Sequence, residues 1–269
     1  MSEILKAGAR GLAVSALQSQ LAHAGYSVEV NAVYDEATEA AVRALQQARG
    51  LVVDGKVGDK TRAALAGLDT SKLMRESDLV AAARTLGVSL ASIKAVNEVE
   101  SNGNGFLPDG RACILFERHV FRARLELHDV DPTPHAARFP GIVSTKRGGY
   151  AGGAAEYARL ATAMQICEPA ALEAASWGAF QIMGYHWQAL GYESVRAFVA
   201  AQQQSEGEQL AAFVKFIQAD PALHKALSAR KWAAFARGYN GPKYAENFYD
   251  VKLARSYERF AAGTGRVAA

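Results

Sequence analysis

Apolar residues recur at helical spacing almost from the start of the chain. Val14, Leu17 and Leu21 stand three and four positions apart, which predicts a helix from about Leu12 to His23 with Gly25 as its C-terminal stop. Two more helices come from an internal echo, in which Val53–Leu65 repeats Val30–Val42 with every position shifted by 23. In each copy a polar turn leads to a threonine, Thr38 or Thr61, whose hydroxyl is placed to cap a short helix. Ala41, Val42 and Leu45 then form one apolar side, and Ala64 and Leu65 the other. Residues 1–68 therefore read as a three-helix module. The polar stretch 69–76 has no apolar period and reads as a linker, and residues 77–269 read as a second, larger domain.

That domain opens with Ser77 or Asp78 as a cap, Leu79, Ala82, Ala83 and Leu86 as a helical face, and Gly87 as a stop. Ser89 starts the next helix. At about 100° per residue, Glu100 falls within roughly 20–40° of Ile93 and Val96, so it faces inward on the last turn. Glu98 lies nearly opposite Val96 and is expected to meet water. Ser101 to Gly105 break the helix. Further on, Ile114 and Phe116 alternate with Leu115 and Glu117, a minor extended segment near residues 112–117.

Composition narrows the class. Half of the 269 residues are hydrophobic and 21% are charged, so the chain can pack a core. A net charge of +3 is too weakly basic to argue for nucleic acid but suits an anionic polymer. The positive charge gathers from Pro221 to Ala269, as either a solvated helical face or an anion-attracting surface. The N-terminus lacks the features of a secretory leader, and no stretch approaches the roughly 20 apolar residues that span a bilayer. The expectation is synthesis in the cytoplasm, no stable membrane insertion and a monomer. Cys113 and Cys167 lack metal-ligand spacing and read as free thiols.

Candidate chemistry lies in the second domain, because the module has no His, Cys or paired carboxylates placed for it and reads as a binding unit. An inward carboxyl at the edge of an apolar surface is desolvated, which keeps it protonated and fits Glu100 for protonating a glycosidic oxygen. The alternative is a buried Glu tied to an Arg. Glu117 is the second carboxylate, either positioning water or paired with Arg118 or another arginine. Gln181 can bind acetamido groups or bridge helices. Tyr239 and Asn240 precede a Gly-Pro turn and either line a cleft or support it. Trp177 and Trp187 stack on sugars or fill the core. His119, His128 and His135 show no metal period.

The motifs extend beyond single residues. Gly11-Leu-Ala-Val14, Gly25-Tyr26, Thr38-Glu-Ala-Ala-Val42, Val53-Asp54-Gly55, Val57-Gly58 and Thr61-Arg-Ala-Ala-Leu65 resemble the three-helix peptidoglycan-binding domain attached to wall hydrolases. Glu100-Ser101 closing a helix, Ser176-Trp-Gly178-Ala-Phe-Gln181-Ile-Met183 and Tyr239-Asn240-Gly241-Pro242 resemble, in that order, segments of goose-type lysozymes and soluble lytic transglycosylases. The longer pattern from about Glu76 to Phe260, including Ile114-Leu-Phe-Glu-Arg-His119 and Gly148-Gly-Tyr150, is similar to phage and prophage N-acetylmuramidases. The resemblance implies a mainly α, lysozyme-like catalytic domain behind the binding module, and an endolysin that hydrolyses the β-1,4 bond between N-acetylmuramic acid and N-acetylglucosamine. It makes Glu100 the catalytic acid and Ser101, Gln181, Tyr239 and Asn240 substrate contacts. No cofactor is implied, and the wall would be reached after the membrane is permeabilised. A lytic transglycosylase and a non-catalytic wall-binding or virion protein are the rival readings.

Overall fold

The computed structural model describes residues 3–101 and 104–264. Asn102 and Gly103 of the expected helix break, and Arg266 of the basic stretch, lie outside the described residues. The chain's contacts divide into two units, Met1–Ala81 and Ala82–Ala269.

The first unit holds helices α1 (Leu12–His23), α2 (Glu36–Ala48) and α3 (Asp59–Leu65). Their apolar sides enclose a core of Val14, Leu17, Leu21, Tyr34, Val42, Leu45 and Val57. The threonines do not cap the helices. Asp35 caps α2 by accepting the Thr38 N–H, and the N-cap of α3 is Gly58, with no side-chain cap. Thr38 and Thr61 are buried one turn inside instead, where each meets a buried glutamine amide.

Those glutamines, Gln18 and Gln46, form the same lock twice. Gln18 Nε2 donates to Asn31 Oδ1, Val33 O and Thr38 Oγ1, each at 2.9 Å, while its Oε1 accepts from the N–H groups of Asn31 and Ala32. Gln46 Nε2 donates to Asp54 Oδ1, Lys56 O and Thr61 Oγ1, and its Oε1 accepts from Asp54 and Gly55. The loop residues are the repeat equivalents of one another. Ala32 and Gly55 even share a left-handed backbone, with φ of 61° and 69°. A buried amide with every group satisfied fixes each loop on its helix.

The polar stretch 69–76 is tied down. Arg75 pairs with Leu51, the Glu76 carboxylate accepts the Val53 N–H at 3.0 Å, and Met74 is buried. Helix α4 (Glu76–Leu86) starts ahead of both expected caps. Asp78 reaches back from inside the helix to the Arg75 N–H at 2.9 Å, the reversed half of a capping box.

The second unit follows with α5 (Leu90–Glu100), β1 (Ile114–Phe116), α6 (Arg118–Leu127), α7 (Pro132–Arg138), α8 (Glu156–Met164) and α9 (Glu168–Glu173). Then come β2 (Ala175–Trp177), β3 (Ile182–Met183), α10 (Val195–Gln204), α11 (Glu206–Ala219), α12 (Pro221–Ser228), α13 (Trp232–Asn240) and α14 (Tyr249–Thr264). The expected extended segment is β1, and it carries two partners, giving an antiparallel sheet in the order β1-β2-β3. Ile114 faces Trp177, and Trp177 faces Ile182. Phe116, Phe121, Phe198, Phe213 and Phe235 fill the core. Cys113 and Cys167 are not joined in a disulfide. No single helix among the described residues is long and apolar enough to cross a membrane.

Candidate active site

Glu100 ends α5, which Ser89 caps by accepting the Ser92 N–H. Ile93 and Val96 are buried on the same side, and Glu100 is only 8% exposed. Asn240, the last residue of α13, donates from Nδ2 to both carboxylate oxygens of Glu100, at 3.0 and 3.2 Å. Gly241 then turns the chain with φ of 79°, a left-handed angle that glycine adopts without strain. Ser101 is the buried C-cap residue of α5. The first residue of the Tyr-Asn pair is also placed: the Tyr239 hydroxyl donates to Phe180 O at 2.6 Å, and its ring meets Phe213 edge-on.

Glu100 makes no ion pair among the described residues, which sets aside a carboxylate tied to an arginine. Burial pushes its carboxyl up to about 7, against smaller opposing effects from the Asn240 amide and the Lys252 charge on α14. Two other buried carboxylates behave differently. Burial raises Glu173 too, but hydrogen bonds from Arg124, His128 and Trp187 outweigh it and hold the group below its ordinary range. Glu156 is likewise brought down, by the Gly152 N–H, Arg159 and the N–H groups of Phe116 and Ala151. Glu100 alone of these three has the properties of an acid at neutral pH.

Glu98 is not simply solvated. It accepts from Ser256 Oγ at 2.8 Å and forms an ion pair with Arg259, so it fastens α14 along α5. Part of the basic C-terminal stretch therefore has partners at the surface of the same unit: Arg259 pairs with Glu98, Arg230 donates to the Tyr257 hydroxyl, and the Lys252 charge acts on Glu100.

Glu117 sits at the N-cap of α6. Its Oε1 accepts from the Tyr150 hydroxyl at 2.9 Å, and its Oε2 lies 3.1 Å from His119 Nδ1 without the alignment of a hydrogen bond. Arg118 is turned away to the carbonyls of Lys146, Pro140 and Arg147, and so holds the loop that carries Tyr150. Gln181 adopts φ of 51°, with its amide closed on the β2–β3 turn: Oε1 accepts from Ser176 Oγ at 2.7 Å and Nε2 donates to Gly178 O at 2.9 Å. Trp177 is core, donating to Leu172 O, and Trp187 donates to Glu173.

Two residues of α11 organise the site and carry no motif in the sequence. Glu206 accepts the Gly105 N–H at 2.8 Å. Gln209 accepts the Ala179 N–H at 2.8 Å and donates to the carbonyls of Gly105 and Gln202. A Cβ on Gly105 would stand 2.0 Å from Gln209 Oε1, and one on Gly178 2.5 Å from Gln209 Cδ. Only glycines let both loops close on that amide. Among the described residues no group of three or more His, Cys, Asp or Glu is placed to hold a metal ion.

Comparison with known proteins gives the family. Residues 89–261 match the N-acetylmuramidase family, and residues 10–65 match a peptidoglycan binding domain. The structure is similar to the crystal structure of a Burkholderia AP3 phage endolysin, with a TM-score of 0.91 and 53% identity, covering 97% of this chain and 100% of that one. The chain is also 43% identical over 72 residues to the N-acetylmuramoyl-L-alanine amidase CwlL of Bacillus licheniformis, a match to 26% of this chain and 20% of that one. It thus spans about a fifth of that relative's length, and the amidase activity stays with the relative. The chain belongs to the N-acetylmuramidase family and is a mainly α-helical, peptidoglycan-hydrolysing endolysin, a glycoside hydrolase.

Proposed function

We propose that Glu100 is the general acid that protonates the glycosidic oxygen on the muramic acid side of the β-1,4 linkage. The observation that carries this reading is a buried carboxyl with no ion pair among the described residues, protonated up to about pH 7. As the leaving oxygen takes the proton, an oxocarbenium-like centre develops and water attacks it. The Asn240 amide holds the carboxyl in one orientation, and Tyr239 and Ser101 fix the two chain segments that meet there. Gln181 serves substrate through the turn it closes. Glu117, held by the Tyr150 hydroxyl, is the second carboxylate and positions the attacking water.

In this reading the three-helix module attaches the enzyme to the wall and the second unit cuts it. The enzyme works as a monomer and meets its substrate once the inner membrane is open. Glu100→Gln keeps the shape but has no acidic proton, so reducing-end release from purified peptidoglycan should fall by about 10³-fold or more with the fold intact. Retention of even a tenth of wild-type turnover would remove Glu100 from this role. Mass spectrometry of the products should show reducing muramic ends. Anhydro ends in their place would mean that the sugar's own hydroxyl attacks, and would take the water-positioning role from Glu117.

A further inference from the structure

Phe248 joins the 3-10 helix Pro242–Asn247 to α14 with φ of 54° and ψ of 36°. A bulky L-residue in the left-handed region is a strained outlier, and such strain persists where the surroundings enforce it. Burial does not explain the residue, because its ring is 64% exposed, more than Tyr150 at 47% or Tyr185 at 38%. Glycine or asparagine would satisfy this backbone at lower cost, and a polar residue would satisfy this exposure.

Its place in the chain is informative. The Phe248 carbonyl accepts the Lys252 N–H at 3.0 Å, so Phe248 opens the first turn of α14. Lys252, one turn on, bears on Glu100 through its charge. Asn240, at the other end of the same segment, bonds both Glu100 oxygens. The segment from Asn240 to Lys252 therefore starts at Glu100 and runs into α14, which packs along α5 with Ser256 and Arg259 on Glu98, and among its described residues Phe248 and the 40% exposed Val251 are the large exposed apolar groups.

We propose that Phe248 is a substrate-contact residue, whose ring stacks on the C–H face of a pyranose ring of the glycan strand bound beside Glu100. The proposal rests on the reading of Glu100 as the acid. The electron-rich face of an aromatic ring attracts the polarised C–H groups on one side of a pyranose. A backbone held in one unusual conformation presents that ring ready-placed, so little ordering is needed on binding.

The test uses the full chain and a soluble glycan oligomer of alternating N-acetylglucosamine and N-acetylmuramic acid. Phe248→Gly relieves the backbone while removing the ring. Its melting temperature should hold or rise, its KM should increase about tenfold, and kcat should change less than about twofold. Phe248→Trp should keep KM within about threefold of wild type. A structural role predicts the reverse, with stability lost and KM retained. If Phe248→Gly fails to fold, Phe248→Asn tolerates the same backbone and replaces it. In a Glu100→Gln background, Phe248→Gly should weaken equilibrium binding of the oligomer by the same factor. That arm reads binding whether or not Glu100 is the acid, so the two readings fail separately. An unchanged KM in folded Phe248→Gly, or an effect confined to lipid-vesicle binding or to self-association, overturns the proposal.

Discussion

The Glu100 carboxyl is set by opposed effects that can be removed one at a time. Burial raises it, and Asn240 and then Lys252 lower it, while Tyr239 from α13 feels the Glu100 charge in turn. Removing the cation in Lys252→Gln takes away a lowering effect, so the proton is held to higher pH. The alkaline limb of the pH–rate profile on small neutral fragments should move upward, by less than about one unit. A downward shift would mean that Lys252 acts otherwise. The same carboxyl weakens the fold when it ionises. Its folded pKa of about 7 lies above the ordinary 4.5, so its full contribution is present below 4.5 and is lost as pH rises through 7. Glu100→Gln should accordingly gain up to about 3 kcal/mol in stability at pH 8 and nothing at pH 4, measured by urea unfolding at both. Glu98→Gln keeps the Ser256 contact but weakens the partly exposed ion pair to Arg259. Its cost should stay below about 1 kcal/mol.

Among elements, the loop after α5 and the β2–β3 turn share one support on α11. Gly178→Ala places a Cβ against Gln209 and puts a side chain at φ of 73°, so it should destabilise the second unit by about 2–4 kcal/mol and lower activity with it. Thermal unfolding followed by tryptophan fluorescence reads this. The support was not legible in the sequence, because Glu206 and Gln209 reach Gly105 from 101 and 104 residues away. The helices α1 and α5 were legible, since their apolar spacing is the spacing of their buried faces. The inward turn of Glu100 follows from the same arithmetic, whereas its bond to Asn240, 140 residues on, has no signal in either segment. Strands β2 and β3 escaped notice for a physical reason: β2 is buried at all three positions and β3 is two residues long, so neither alternates. Thr38 and Thr61 read as caps in the sequence because a hydroxyl before an apolar run looks the same whether it serves a helix end or a buried amide.

For the whole molecule, two units imply two separable stabilities. Gln46→Ala leaves the N–H groups of Asp54 and Gly55 without their partner and removes the bond that the Thr61 hydroxyl accepts, which should cost the first unit about 2–3 kcal/mol. Calorimetry should show that loss in one transition while the other, and turnover on soluble fragments, hold. The paired locks also bear on how the chain acquires its structure. Gln18 and Gln46 close on partners 8 to 20 residues away, whereas Glu100 meets Asn240 across 140. Local contacts form before distant ones have overcome their loop-closure entropy. All three tryptophans, Trp177, Trp187 and Trp232, lie in the second unit. On dilution from denaturant, a first rise in helical circular dichroism should therefore precede the tryptophan signal, and activity should return last. Each newly made molecule would then complete its peptidoglycan-binding unit before the two distant halves of the Glu100 site have met.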